Sequence, residues 1–131
     1  IWEGYRPYSA VPKLVNPESG LVWNSNNKPY AATDGPDNMR PENFPASMGL
    51  QTDMTSRAMR MVELNDGTTP IDRERLLEIK FDKSYAQGSK AAKLVKEVLA
   101  IDWSADPELS AAAEHLAEWD LSMGVDSRHA A

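Results

Sequence analysis

Residues 16–29 read Asn-Pro-Glu-Ser-Gly-Leu-Val-Trp-Asn-Ser-Asn-Asn-Lys-Pro, a run of turn-forming residues on either side of a short apolar segment. An Asn-Pro-x-x-Gly turn ending at Gly20 leads into three apolar residues, 21–23, which we predict to be a short strand. Asparagines occupy three of the four positions after this strand. Pro29 has no backbone N–H to donate, so it cannot continue the hydrogen bonding of a β-sheet. The segment therefore predicts a turn at 16–20, a strand at 21–23 and a polar loop that ends at Pro29.

Three asparagines, Asn24, Asn26 and Asn27, form the polar end of this segment. Asparagine is a poor strand former and a good turn former, so the cluster is typical of a structural turn. A neutral amide that is held rigidly can also donate a hydrogen bond to an oxygen on which negative charge develops. From the residues alone the turn is favoured, and both interpretations stay open.

Composition restricts the class of protein. The 131 residues are 41% hydrophobic and carry a formal net charge of -6, with no cysteine. The acidic balance disfavours nucleic acid and anionic membranes as partners. The lack of cysteine excludes disulfides, thiolate metal sites and a cysteine nucleophile. Because the sequence begins with Ile1 rather than methionine, we interpret it as an internal fragment of a longer polypeptide.

The chain divides into two parts of different character, which we expect to form a single partial domain over 1–131. Residues 1–50 carry most of the prolines and asparagines, so we expect a loop-rich region with one strand. Residues 51–131 show apolar residues at helical spacing, so we expect this part to be helical.

Four helices are predicted in the second part. The first covers 53–64 and ends at the Asn-Asp-Gly run 65–67, and the second covers 72–85 from an aspartate cap. The third begins after the cap Ser89, and the fourth covers 106–124, with an aspartate cap followed by proline at the first helical position. The third helix carries a clean apolar stripe, and the fourth is expected to bury the face formed by Leu109, Ala112, Ala113 and Leu116.

Two arginines lie on the first predicted helix. At about 100° per residue, Arg57 falls at the margin of the apolar arc and can enter a partly buried site, whereas Arg60 points further away and is expected to meet solvent. Spacing alone favours a solvated position for both. His115 and His129 show no metal-ligand spacing, and we interpret each as an ordinary, partly exposed histidine.

The order of several motifs resembles the middle of the large β subunit of the penicillin acylase family, which belongs to the N-terminal nucleophile hydrolases. The resemblance covers essentially the whole chain. It rests on the Asn-Pro-x-x-Gly turn at 16–20, Asn-x-Asn-Asn-x-Pro at 24–29, a helix carrying Arg57, Leu-Leu-x-x-Lys-Phe-Asp at 76–82 and Leu-x-x-Trp-Asp at 116–120. The first two elements are fairly specific, and the later ones gain weight from their order.

The resemblance implies an α+β fold, in which this chain is a fragment of a four-layer αββα hydrolase and is itself mainly helical with one or two short strands. It implies cleavage of N-acyl amides, such as β-lactam side chains or acyl-homoserine lactones, through an acyl-enzyme. The nucleophile is an N-terminal serine, exposed when the precursor cleaves itself, and its own α-amino group is the base. That serine lies upstream in the family, and Ser9 and Ser19 do not match it, so we expect this chain alone to be inactive.

Site residues carry over from the family at four positions. The family holds the negative oxygen of the tetrahedral intermediate with a backbone N–H and one asparagine side chain. The resemblance assigns that asparagine to Asn26, with Asn24 and Asn27 as structural neighbours. It gives Arg57 a supporting role near the catalytic groups.

Cofactors and partners are also implied by the resemblance. In the penicillin G acylase branch a calcium-binding aspartate follows a Pro-Ala-Ser element, whereas here Pro-Ala-Ser at 45–47 is followed by Met48, so we expect no cofactor and no metal ion. The expected partners are a small N-acyl amide substrate, the remainder of the β subunit and an α subunit of the same precursor, without nucleic acid or membrane. A periplasmic or secreted location is expected. The alternative function is a non-catalytic helical interaction module that retains an acylase-like sequence.

Overall fold

The computed structural model describes residues 4–65, 67 and 69–130. Within this part of the chain the α-helices are α1 (Ser56–Leu64), α2 (Arg73–Phe81), α3 (Lys90–Leu99) and α4 (Pro107–Ala117). Short 3-10 helices precede them at Tyr8–Ala10, Pro29–Ala31, Pro41–Asn43 and Ala46–Met48. The regular structure is thus mainly helical, as the sequence predicted. No helix among the described residues is long and apolar enough to cross a bilayer.

The chain divides into two compact units, Ile1–Met54 and Thr55–Ala131. The 3-10 helices belong to the first unit and α1 to α4 to the second. Proline opens two of the 3-10 helices, at Pro29 and Pro41. Its fixed φ suits the first helical position, where its missing N–H would have had no partner within the helix.

The strand predicted over 21–23 does not form, and that part of the prediction is wrong. Trp23 donates its N–H to the carbonyl oxygen of Ala32 at 3.0 Å. The N–H groups of Ala32 and Thr33 donate instead to the side-chain oxygen of Asn38, at 2.9 and 3.2 Å. The asparagine side chain therefore takes donors that a strand ladder would have used.

Side-chain caps begin the helices of the second unit. Asp72, Ser89 and Asp106 each accept hydrogen bonds from N–H groups of the following turn, at 2.8 to 3.2 Å. These three predicted caps are confirmed. They could be predicted because each cap is a contact between residues only two or three positions apart.

α1 is shorter than predicted. The hydroxyl of Thr55 accepts a hydrogen bond from the N–H of Ala58 at 3.1 Å, so the helix begins at the following residue rather than at Asp53. It ends at Leu64 as predicted, where the N–H of Asn65 still donates to the last turn. Asp66, part of the predicted stop, lies outside the described residues.

α2 and α4 both end well before the predicted positions Tyr85 and Gly124. The segments that follow them pair with each other. An antiparallel bridge joins Ser84 to Ser122, and the N–H of Tyr85 donates to the carbonyl oxygen of Leu121 at 2.8 Å. Backbone groups that pair across these segments cannot also continue a helix, so the two helical predictions were too long at their ends.

Small side chains fill the interior of the second unit. α3 packs against α4, and Ala58, Ala86 and Ala92 are almost fully buried. Leu109 on α4 is 45% exposed, so its predicted burial is wrong, and Leu94 in the apolar stripe of α3 is 61% exposed. Apolar surface of this kind is available for packing against another partner.

Candidate functional site

The asparagine cluster lies in a loop of the first unit, and Asn26 occupies its exposed apex. The backbone of Asn26 is left-handed, with φ of 56°. Asparagine tolerates this conformation better than most residues with a side chain. The N–H of Asn26 donates to the side-chain oxygen of Asn24 at 2.8 Å, which closes a local turn and holds the apex.

Asn27 braces the same loop with both ends of its amide. Its oxygen accepts a hydrogen bond from the N–H of Ser25 at 2.7 Å. Its Nδ2 donates to the carbonyl oxygens of Lys28 and Ala31, at 2.9 and 2.7 Å. Because donor and acceptor ends both face matching partners, the amide has one favourable orientation, and it fixes the path of the chain beyond Asn26.

Buried groups close the base of the loop. Thr33 is only 2% exposed, and its hydroxyl donates to the carbonyl oxygen of Leu21 at 2.7 Å. The hydroxyls of Ser19 and Thr33 are also 2.7 Å apart. Asn38 adds a bond from Nδ2 to the carbonyl oxygen of Thr33 at 2.7 Å, and Trp23, two residues after Leu21, is buried. Asn26 therefore lies at the tip of a loop that is closed by side-chain hydrogen bonds of Thr33 and Asn38, and not at the end of a strand.

Arg57 lies in the second unit, in the first turn of α1, and is exposed. It lines a cleft of about 220 Å³ whose other walls include Tyr85 and Met123. The structure therefore brings Asn24, Asn26 and Asn27 together in one loop, and it places Arg57 beside a cleft on the other unit.

Arg60 does not point into solvent, so that prediction is wrong. Its guanidinium binds the carboxylate of Asp82 through two bonds, Nε to Oδ1 at 2.9 Å and Nη2 to Oδ2 at 2.8 Å. Nη1 also contacts Glu63 at 3.2 Å. The hydrogen bond from Arg60 holds the pKa of the Asp82 carboxyl below its ordinary value, and the same bond raises the pKa of Arg60. Helical spacing missed this contact because Asp82 comes from beyond α2.

The two histidines meet, which the sequence did not predict. The ring centroids of His115 on α4 and His129 lie 4.6 Å apart. Within residues 4–65, 67 and 69–130, no group of three or more histidine, aspartate or glutamate side chains could hold a metal ion. We therefore build no metal chemistry on this pair.

One comparison with known proteins bears on the whole chain. The family model described as Penicillin amidase matches residues 1–131. Because the match covers both units, it supports a hydrolase of the amidase type as the activity of the intact protein. With the motif order and the asparagine loop in place, the chain belongs to the penicillin amidase family.

Proposed function

We propose that the intact protein is an N-terminal serine amidohydrolase that cleaves N-acyl amides, with β-lactam side chains and acyl-homoserine lactones as the candidate substrates. The family match over the whole chain supports amide hydrolysis. The observation that carries the more specific proposal is the braced loop that holds Asn26 in a left-handed conformation at an exposed apex. A side chain carried on a braced backbone at such an apex suits an oxyanion donor.

In the proposed reaction, the serine hydroxyl oxygen attacks the amide carbonyl carbon while its proton moves to the serine α-amino group. The carbon–nitrogen bond then breaks as that proton passes to the leaving amine, and water hydrolyses the resulting serine ester. Asn26 donates a hydrogen bond from Nδ2 to the oxyanion of each tetrahedral intermediate, together with a backbone N–H. A neutral amide suits this task because it stabilises negative charge without giving up a proton.

Arg57 has a supporting role in this proposal, as the family resemblance suggests. A guanidinium stays charged at any working pH and offers several donors in a fixed plane. Placed in the first turn of α1 beside a cleft, such a group can strengthen a hydrogen-bond network around developing negative charge without forming a covalent bond.

The proposed partners are the remainder of the β subunit and an α subunit released from the same precursor by self-cleavage. Several apolar side chains are more than half exposed, among them Phe81, Leu94 and Val125. They support this assembly because such groups favour burial against another surface. In the proposed enzyme, this chain is one part of a four-layer αββα core. A periplasmic or secreted location completes the proposal.

The experiment uses the full-length precursor, incubated with N-acyl β-lactams and acyl-homoserine lactones of different chain lengths. We expect self-cleavage to leave a serine at a new N-terminus, free amine to be released, and the acyl mass to appear transiently on that serine by mass spectrometry. A matched precursor with the serine changed to alanine should do none of these. If the wild-type precursor neither cleaves itself nor releases amine, the non-catalytic interaction module is the better account.

A further inference from the structure

We propose that Arg60 is a positioning residue, whose ion pair with Asp82 fixes the cleft beside Arg57 and thereby supports turnover. This inference rests on the proposed function, in which Arg57 supports catalysis. It adds a residue that does not itself touch substrate, and it is carried by contacts within the second unit.

The pair has the geometry of a strong charge-assisted contact. Two nearly parallel bonds, of 2.9 and 2.8 Å, join the guanidinium of Arg60 to the carboxylate of Asp82. The side chains are only 26% and 16% exposed, so solvent screens the pair weakly. A planar two-bond contact fixes orientation as well as distance, which a single lysine bond does not.

Further bonds extend this contact along the chain. Asp82 Oδ1 accepts the N–H of Ser84 at 3.1 Å, so the carboxylate also orders the backbone that follows it. Glu63, which contacts Arg60, accepts the N–H of Gln87 at 2.7 Å. α1 is therefore tied at two points to the segment that follows α2.

α1 and the segment that follows α2, which these bonds connect, are also two walls of the cleft beside Arg57. α1 contributes Ser56 and Arg57, and the segment after α2 contributes residues 82–85. The Arg60–Asp82 pair spans the two walls, since Arg60 lies one turn beyond Arg57 and Asp82 itself lines the cleft. Loss of the pair frees the walls to shift relative to each other. A displacement of about 1 Å at a catalytic site can cost on the order of 100-fold in rate.

A second ion pair in the same unit supplies a matched control. Arg73 and Glu74 approach to 3.9 Å, but their side chains are 81% and 76% exposed. Exposed pairs of this kind contribute little to stability. Arg73→Gln therefore removes the same chemical group as Arg60→Gln at a position where it orders no neighbouring wall.

The test measures kcat and KM of the full-length enzyme carrying Arg60→Gln, Asp82→Asn, Arg60→Lys or Arg73→Gln, at a temperature well below unfolding. We expect Arg60→Gln and Asp82→Asn each to lower kcat by about 10- to 100-fold, the double variant to be no worse than either, and Arg60→Lys to recover part of the loss. Arg73→Gln should match wild type. The effect of Arg60→Gln should largely disappear when Arg57 is already glutamine, because Arg60 acts through the cleft at Arg57.

A purely structural role gives a different pattern. Arg60→Gln then lowers the melting temperature but leaves kcat and KM unchanged, or its effect on kcat multiplies with that of Arg57→Gln, and either result overturns the inference alone. If Arg57→Gln itself leaves turnover intact, the proposed role of Arg57 fails and the inference fails with it. The two failures are therefore distinguishable within one set of variants.

Discussion

The side-chain amide of Asn27 donates to the carbonyl oxygen of Ala31 at 2.7 Å while its oxygen accepts the N–H of Ser25 at 2.7 Å. One side chain thus spans both sides of the apex occupied by Asn26. The conformation of the apex depends on a neighbour that itself has no proposed chemical role, which makes the loop testable apart from catalysis.

Asn27→Asp should destabilise the loop far more than Asn24→Asp. A carboxylate at residue 27 loses the donor and faces the carbonyl oxygens of Lys28 and Ala31, and we expect a loss of about 1–3 kcal/mol in unfolding free energy. Asn24 accepts the N–H of Asn26 through its side-chain oxygen, and aspartate keeps that acceptor. Thermal unfolding of the full-length variants at pH 7 measures the difference. Equal effects of the two substitutions would contradict the assigned bonds.

Thr33→Val should lower stability although it keeps the shape of the side chain. Valine removes the hydroxyl that donates to Leu21 and meets Ser19, and it leaves the partly buried carbonyl oxygen of Leu21 without this donor. We expect a cost of about 1–3 kcal/mol. The control is Thr52→Val, at an exposed position. An unchanged melting temperature for Thr33→Val would show that the base of the loop is not held by this hydroxyl.

The Arg60–Asp82 pair predicts a pH-dependent stability. An unfolded aspartate has a pKa of about 3.9, and the folded Asp82 has a lower one because Arg60 binds its charged form. The pair's contribution is therefore complete above about pH 5 and is lost as the pH falls below about 4, through the folded pKa. Asp82→Asn lacks this contribution at every pH.

The measurement is the melting temperature of wild-type and Asp82→Asn full-length protein from pH 7 to pH 3. We expect a constant difference between pH 7 and 5 that shrinks below pH 4 as the wild type loses its charged pair. Other acidic groups affect both proteins and cancel in the difference. A gap that stays the same at pH 3, or widens there, would be inconsistent with a charged pair.

Local contacts were predictable from the sequence, and distant ones were not. The caps at Asp72, Ser89 and Asp106 are bonds to N–H groups in the next turn, so the residue type and its spacing identify them. The position of the Arg60 side chain depends on its bond to Asp82, the residue that follows α2. The helical spacing of residues within α1 cannot predict a contact with a residue outside that helix.

The asparagine loop shows the same limit within a shorter distance. The asparagine cluster favoured a turn, and a turn is present, since Asn26 is left-handed and its N–H donates to the side-chain oxygen of Asn24. A strand before it was wrong because a strand needs a partner that accepts and donates along its length. The side-chain oxygen of Asn38 accepts the N–H groups of Ala32 and Thr33, so these donors are not available to a strand. Nothing in the sequence around Asn38 indicates that its side chain makes these bonds.

The amide of Asn26 is the group that we propose stabilises the developing oxyanion. Asn26→Gly is the most direct variant, because glycine adopts a φ of 56° without strain and removes the whole side chain, its amide included. Asn16→Gly is the matched control, since Asn16 is also left-handed, with φ of 50°. Both substitutions are made in the full-length precursor and measured after self-cleavage.

The measurement is the single-turnover rate of acyl-enzyme formation. We expect a fall of about 10²–10³-fold for Asn26→Gly, with a folded protein and normal self-cleavage. For Asn16→Gly we expect a change of no more than about twofold. An acylation rate for Asn26→Gly equal to that of wild type would contradict the account.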